Sequence, residues 1–137
     1  MNSKLRFLVI DDNPDSRFLL VKTLLRKFSA AAVQECQDAD TAVQIAAHEK
    51  VDAVIAHRAG EIDGLTLIRL LRRVNTTVPI IMVSGINRAQ QALTAGATFF
   101  LNYDEWLRIG TVVAELIAPP TPKSDTIGSA DLDPDPV

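Results

Sequence analysis

Residues that could take part in chemistry follow four apolar segments of the chain. Asp11 and Asp12 come directly after the first apolar run, and His57 follows a later one. Ser84 and Tyr103 stand at the ends of two more. Adjacent carboxylates supply the oxygen ligands that Mg²⁺ prefers, and an imidazole can serve as a base, a ligand or a charged partner. Taken alone, two aspartates at such a turn are more often caps and turn formers.

The apolar segments are predicted to be buried strands. They cover residues 5–10, 30–36, 52–56, 78–85 and 97–102. Helices with one apolar stripe each alternate with them. The first is predicted to begin at Pro14 after a cap at Asp12 or Asn13, and the others to cover 38–50, 64–74, 87–96 and 104–117. This alternation predicts an α/β fold with a doubly wound five-stranded parallel sheet and five helices, whose ligands collect at the carboxyl ends of the strands.

Composition separates one globular domain from an unusual final segment. The 137 residues are 47% hydrophobic and 23% charged, which suits one domain with a single core. Residues 119–137 hold five of the seven prolines, four aspartates and one lysine, a net charge of −3, so residues 1–118 balance at zero. That segment has too little apolar surface to offset the entropy of ordering. We therefore predict a domain at 1–118 and a disordered, acidic, Pro-rich tail at 119–137, interpreted as a solubilising end rather than a tether.

Several classes of protein are disfavoured by the same features. No basic face suggests nucleic-acid binding, and no apolar run reaches the roughly 18–20 residues that cross a bilayer. The short apolar run near the N-terminus meets Asp11 and Asp12 rather than a signal-peptide cleavage site, so we expect a cytoplasmic protein. The single cysteine, Cys36, forms no intramolecular disulfide and is expected to be buried.

Four stretches of the chain resemble the receiver domain of bacterial two-component response regulators. FLVIDDNPDSRFLLVKTLL resembles the opening of that domain, and EIDGLTLIRLLRR resembles its loop and third helix after the phosphorylation site. VPIIMVSG and ALTAGATFFLN resemble its last two strands. The resemblance spans about residues 4–117. It implies a flavodoxin-like sheet with strand order 2-1-3-4-5 and a role in phosphorelay signal transduction.

The resemblance also implies roles for particular residues. In the family, acidic residues after the first strand hold Mg²⁺, which matches Asp11 and Asp12. A Ser or Thr that contacts the phosphoryl group matches Ser84, and an aromatic residue that rotates on activation matches Phe100. The family's phosphoacceptor Asp, which takes a phosphoryl group from a sensor histidine kinase, is replaced by His57.

The family's Lys at the end of the fifth strand is replaced as well. Tyr103 stands at its position, followed by Asp104 where a Pro is usual. Aspartyl phosphorylation needs a carboxylate nucleophile, a bridging metal and a balancing cation. We therefore expect the usual chemistry to be absent and any Mg²⁺ site made of Asp11 and Asp12 to be weak.

Other acceptors are less favoured. Asp52 begins the third predicted strand and is roughly 16 Å from the carboxyl end of that strand, where the candidate site lies. Asp63 is expected in the turn or at the cap of the third helix, and nothing beside His57 resembles a kinase or phosphotransfer helix. A displaced or unconventional acceptor nevertheless stays open as an alternative.

Two interpretations of His57 carry equal weight. A protonated imidazole could pair with Asp11 and Asp12 and replace the charge of Mg²⁺. Alternatively, His57 is an edge residue without a partner. Tyr103 is expected to pack as an aromatic ring over the mouth of the former pocket.

The leading functional hypothesis is a degenerate, stand-alone receiver that signals by phosphorylation-independent protein–protein interaction and is not an enzyme. Its partner would be a signalling protein such as a histidine kinase or another receiver, and a homodimer is a further candidate. No cofactor, nucleic acid or membrane is expected. Two alternatives remain: an active receiver or phosphate sink with an unconventional acceptor, and a small-ligand-binding module.

Overall fold

The computed structural model describes residues 4–60 and 62–118. The predicted disordered tail at 119–137 lies outside the described residues. Within them, no helix is long and apolar enough to cross a membrane.

Five parallel strands form one sheet. They are β1 (Arg6–Ile10), β2 (Ala32–Cys36), β3 (Ala53–Ala56), β4 (Ile80–Ser84) and β5 (Phe99–Asn102). Their order is β2-β1-β3-β4-β5, and every pairing is parallel. The predicted fold class and strand order are therefore confirmed. The observed strands are shorter than the predicted runs by one or two residues at most ends, because apolar character continues into the flanking turns.

The helices follow the predicted alternation. They are α1 (Pro14–Lys27), α2 (Ala39–His48), α3 (Gly64–Val74), α4 (Ala89–Ala95) and α5 (Ile109–Ile117). Of the two residues considered for the cap of α1, Asn13 is the cap, and its side chain accepts hydrogen bonds from the backbone N–H groups of Asp15 and Ser16.

The last predicted helix, 104–117, is divided in the structure. A 3₁₀ segment, η1 (Tyr103–Arg108), precedes α5, and Glu105 within η1 departs from helical geometry, with φ −105° and ψ 26°. The Asn102 side chain accepts from the N–H of Asp104 at 2.9 Å and so caps η1. Its tighter turn places Leu107 outward, with 62% of the residue exposed.

Two apolar cores lie on opposite faces of the sheet, because successive strand residues point to opposite sides. On the face covered by α1 and α5, called here the α1/α5 side, the core contains Phe7, Val9, Leu20, Leu24, Ile55, Val83, Leu101 and Val113. On the face covered by α2, α3 and α4, called the α2–α4 side, it contains Leu8, Ile10, Ala42, Val54, Ile68, Leu71, Ile80 and Met82. This alternation decides which strand-end residues meet.

Arg72 of α3 joins two connections at the amino edge of the sheet. Its guanidinium donates to the carbonyl of Val78 at 2.7 Å, to that of Gly96 at 2.8 Å and to that of Asn75 at 3.2 Å. It also contacts the Thr98 hydroxyl at 3.3 Å. Partial burial lowers the pKa of Arg72. The start of β4 and the turn between α4 and β5 are thereby held to the end of α3.

Candidate functional site

The carboxyl edge of the sheet sorts the candidate residues onto two sides. Because strand residues two positions apart point to the same side of the sheet, Asp11 lies on the side of Val9 and His57 on the side of Ile55. Both are therefore on the α1/α5 side. Tyr103 packs against the same core. Three of the residues singled out in the sequence therefore share one side.

Asp11 is the centre of this group. Its carboxylate is fully buried. Oδ1 accepts from the N–H of Asn13 at 3.0 Å, and Oδ2 accepts from the hydroxyl of Ser16. The His57 Nδ1 atom lies 3.0 Å from the same Oδ2. Both carboxylate oxygens are thus engaged by groups of the chain itself.

The contact between His57 and Asp11 determines which nitrogen of the imidazole carries hydrogen. An ionised carboxylate can only accept hydrogen bonds, so Nδ1 must carry hydrogen and donate to Asp11. Only 7% of the His57 side chain is exposed, and none of the Asp11 side chain is. The imidazole therefore has a buried anionic partner, and this partner is Asp11 and not Asp12.

The surroundings of Asp11 favour its ionised form. Burial on its own raises the pKa of the carboxyl group, but the hydrogen bonds from His57, Ser16 and the N–H of Asn13 outweigh it. The pKa of Asp11 consequently lies below its ordinary value of 3.8.

Tyr103 covers the imidazole. Its ring stacks on His57 with the ring centres 4.9 Å apart and the planes inclined by 9°. Burial raises the pKa of the Tyr103 phenol, and the charge of Asp11 adds to the rise while that of Arg58 opposes it. A cavity of about 270 Å³ borders both rings and includes Gly85, which has no side chain to fill it.

Asp12 has different surroundings from its neighbour. It is partly exposed, and its Oδ2 accepts from the N–H of Gly60 at 3.0 Å. This hydrogen bond holds the β3–α3 loop against the end of β1. Gly60 has a positive φ of 61°, a conformation that favours glycine.

An open pocket lies on the α2–α4 side of the edge. Its volume is about 380 Å³, and its polar lining consists of Asp12, His57, Arg58, Asp63, Ser84 and Arg88. The Ser84 hydroxyl oxygen accepts from the N–H of Ile86 at 3.1 Å. Phe100 is half-buried, pairs with Met82 across β4 and β5, and packs against the same side's core.

The two aspartates considered as displaced acceptors both accept hydrogen bonds from backbone N–H groups. Asp52 lies at the amino edge, where its Oδ2 accepts from the N–H of Arg6 at 2.8 Å. Asp63 caps α3 by accepting from the N–H of Leu65 at 3.0 Å, and it forms an ion pair with Arg88 at 2.8 Å. The hydrogen bond from Arg88 is the main reason that the pKa of Asp63 is lowered.

Two residues that make contacts at this edge, Ser16 and Arg88, were not predicted from the sequence. Ser16 could have been found, because it stands in the predicted first turn of α1, where its hydroxyl faces back to the end of the strand. Arg88 could not be found, since it reaches Asp63 across 25 residues of chain.

A doubly wound sheet in this order, with its polar groups gathered at the carboxyl edge, defines a flavodoxin-like α/β module. Residues 7–104 match the model of the response regulator receiver domain. The chain therefore belongs to the response regulator receiver domain family, whose members are signalling modules.

Solved structures agree with this assignment. The receiver domain of the putative response regulator NarL from Mycobacterium tuberculosis is 27% identical, with a TM-score of 0.73 over 85% of this chain and 98% of that one. A response regulator from Burkholderia pseudomallei, containing a phosphorylated aspartic acid, calcium and citrate, is 28% identical, with a TM-score of 0.65 over 84% and 72%. A mutant receiver domain of the histidine kinase CKI1 from Arabidopsis thaliana is 25% identical, with a TM-score of 0.71 over 84% and 91%. No curated protein matches the chain.

Proposed function

We propose that this receiver domain signals without being phosphorylated, by binding another protein, and that it is not an enzyme. The observation that carries the proposal is the buried pair of His57 and Asp11 at the end of β3. The resemblance to the family expects the phosphoacceptor at this position. An imidazole at the end of β3 cannot form the acyl phosphate of the family. Tyr103 supplies no cation to balance a phosphoryl charge.

The donor set also fits Mg²⁺ poorly. That ion requires near-octahedral oxygen ligands at about 2.0–2.1 Å. Both oxygens of Asp11 already accept hydrogen bonds, and the His57 nitrogen lies 3.0 Å from one of them. Within residues 4–60 and 62–118, no group of three or more His, Cys, Asp or Glu is arranged to hold a metal. We propose that the imidazole replaces the positive charge that the family obtains from the metal.

Incubation with acetyl phosphate and Mg²⁺, followed by intact-mass measurement, tests the absence of phosphorylation. No product heavier by one phosphoryl group, about 80 Da, is expected. A response regulator with the family's aspartate, treated in parallel, shows that the donor is active. A stoichiometric product on this chain would instead support the receiver or phosphate sink with an unconventional acceptor.

A metal titration tests the replacement of the metal charge. Millimolar Mg²⁺ should leave the unfolding midpoint of the wild-type chain unchanged. His57→Asp supplies a third carboxylate, so Mg²⁺ should stabilise that variant. Stabilisation of the wild-type chain by Mg²⁺ to the same extent would contradict the proposal.

The charge on His57 can be observed directly. Imidazole ¹⁵N shifts at neutral pH distinguish a ring with hydrogen on both nitrogens from a neutral ring. A doubly protonated ring is expected if His57 replaces the metal charge, and a neutral ring would remove that part of the proposal.

Receiver domains interact with histidine kinases and other signalling proteins. We propose a partner of that kind in the cytoplasm, and no nucleic acid or membrane. A second copy of the chain is a further candidate. Capture experiments comparing the wild-type chain with His57→Asp should recover the same partner in the presence and absence of phosphodonor.

The pocket on the α2–α4 side favours one alternative, a small-ligand-binding module. Its volume of about 380 Å³ lies within the range of small-molecule sites. Ligand-induced thermal shifts test this function, and a ligand that acts through the pocket should lose its effect in Ser84→Trp.

A further inference from the structure

α1 presents an exposed basic surface that the site does not use and that the balanced charge of residues 1–118 gave no reason to expect. Lys22, Arg26 and Lys27 are exposed on this helix. Beside them a groove of about 230 Å³ separates α1 from η1 and the start of α5. We call the three cations and this groove the basic face. The groove is lined by Thr23, Arg26, Lys27, Leu107, Gly110 and Thr111.

The groove depends on a close approach of two helices. A Cβ atom added to Gly110 would lie 2.9 Å from Cβ of Lys27, so only glycine lets α5 pass this close to α1. Leu107 stands at the groove with 62% of its surface exposed. The basic face therefore combines positive charge with an uncovered apolar side chain.

The cations of the basic face have no acidic neighbours in the described structure. Within residues 4–60 and 62–118, no carboxylate lies within 4.0 Å of Lys22, Arg26 or Lys27. Arg17 of the same helix, in contrast, pairs with Glu35 at 2.9 Å. The basic face is thus suited to an acidic occupant.

We propose that the acidic segment 119–137 of this chain binds the basic face intramolecularly. Asp131, Asp133 and Asp135 alternate with Leu132 and Pro134 in this segment. The aspartates match the three cations in number, and Leu132 supplies an apolar side chain for the groove beside Leu107. Composition alone suggested a solubilising end, because it does not show that these cations lack acidic neighbours among the described residues.

The length of the segment permits this contact. Leu132 follows Ala118, the last described residue, by fourteen positions. An extended chain of that length reaches roughly 46 Å, whereas the stretch from Leu107 to Ala118 rises about 16 Å if helical. The segment can therefore return along α5 to the groove without strain.

Attachment to the same chain makes weak contacts sufficient. A short flexible linker provides an effective concentration of about millimolar. Contacts between exposed charges are screened by salt, so occupancy should fall as ionic strength rises. A protein partner that binds α1 would have to displace the segment, so the segment would compete with that partner for the basic face.

Paramagnetic broadening in the full chain tests the proposal. A nitroxide is attached to Ser129→Cys at neutral pH. Cys36 does not compete, because burial raises the pKa of its thiol to about 11. At about 0.01 M salt, where the screening length is about 30 Å, the amide signals of residues 22–27 and 107–111 should broaden selectively. At about 1 M salt, where it is about 3 Å, they should recover.

Charge reversal provides the matched controls. Lys22→Glu, Arg26→Glu and Lys27→Glu together should abolish the broadening, and adding Asp131→Lys, Asp133→Lys and Asp135→Lys should restore it. Arg69→Gln with Arg73→Gln, which removes two exposed cations from α3, should leave it unchanged. Broadening that is absent at low salt, or that persists after reversal on α1, overturns the proposal. So does broadening of an unlabelled ¹⁵N chain by a separate spin-labelled chain, since the occupant would then be a second copy.

Discussion

The two sides of the sheet treat their strand-end residues differently. On the α1/α5 side the Asp11 carboxylate is buried and accepts three hydrogen bonds, one of them from an imidazole that lies under Tyr103. On the α2–α4 side Ser84 accepts one hydrogen bond at the wall of an open pocket. The first side holds its carboxylate with donors of the chain itself, beside a cavity of about 270 Å³, while the second leaves its hydroxyl at the wall of a larger pocket of about 380 Å³. The two sides of one sheet edge therefore differ in how tightly their polar groups are held.

The largest effect is expected from Asp11→Ala. This substitution leaves His57, the Ser16 hydroxyl and the N–H of Asn13 without their acceptor in a buried place. Breaking a buried pair in this way should lower the free energy of unfolding by about 3–5 kcal/mol, measured by urea denaturation. Asp12→Ala is the matched control, since it loses one hydrogen bond at a partly exposed position and should cost about 1 kcal/mol. Equal losses at the two neighbours would contradict the contrast between the sides.

The second largest effect is expected from acid, which should weaken the α1/α5 side. The folded pKa of Asp11 lies below its unfolded value of 3.8, so the unfolded chain binds more protons between the two values. The stabilisation from Asp11 is present above the unfolded pKa and is lost as pH falls through the folded one. Carboxyl ¹³C NMR should give a midpoint for Asp11 below 3.8. A midpoint at or above that value would mean that burial outweighs the hydrogen bonds.

Removing the ring above His57 should have a smaller effect. Tyr103→Ala loses the stacking contact and should lower the free energy of unfolding by about 1 kcal/mol. Tyr103→Phe retains the ring and should change stability little, because the contact is made by the ring face. Urea denaturation of both variants tests this prediction, and a similar loss in both would assign the contribution to the hydroxyl instead.

The smallest effect is expected on the open side. Ser84→Ala removes a single acceptor for the N–H of Ile86 at an exposed turn, so stability should change by no more than about 0.5 kcal/mol. Thermal unfolding of this variant beside Asp11→Ala measures the difference between the two sides directly. A loss at Ser84 comparable to that at Asp11 would show that the pocket wall is also held by buried hydrogen bonds.

The fold could be predicted because local patterns carry it. Apolar runs ending in polar residues marked the strands, and Asn13, one of the two candidate caps before Pro14, starts α1 in the structure. The division of 104–117 could not be predicted, because the apolar stripe of η1 and α5 continues through the bend at Glu105. Which backbone turn forms there depends on the cap from Asn102.

The site was predicted in outline. The edge and the candidate residues followed from strand ends, but the choice between Asp11 and Asp12 as partner of His57 did not. Strand alternation contained that information, since Asp11 and His57 continue Val9 and Ile55 on one face. The stack of Tyr103 on His57 could not be predicted, because it depends on how the turn after β5 places the phenol ring.

The guanidinium of Arg72 has a consequence for how such a chain can diverge. It ties α3, β4 and β5 together at the pole opposite the strand-end residues. These hydrogen bonds do not involve the polar residues of the candidate site. Positions on the open side of the carboxyl edge can therefore change without loosening this joint, which leaves a lineage free to vary its site while it retains the architecture.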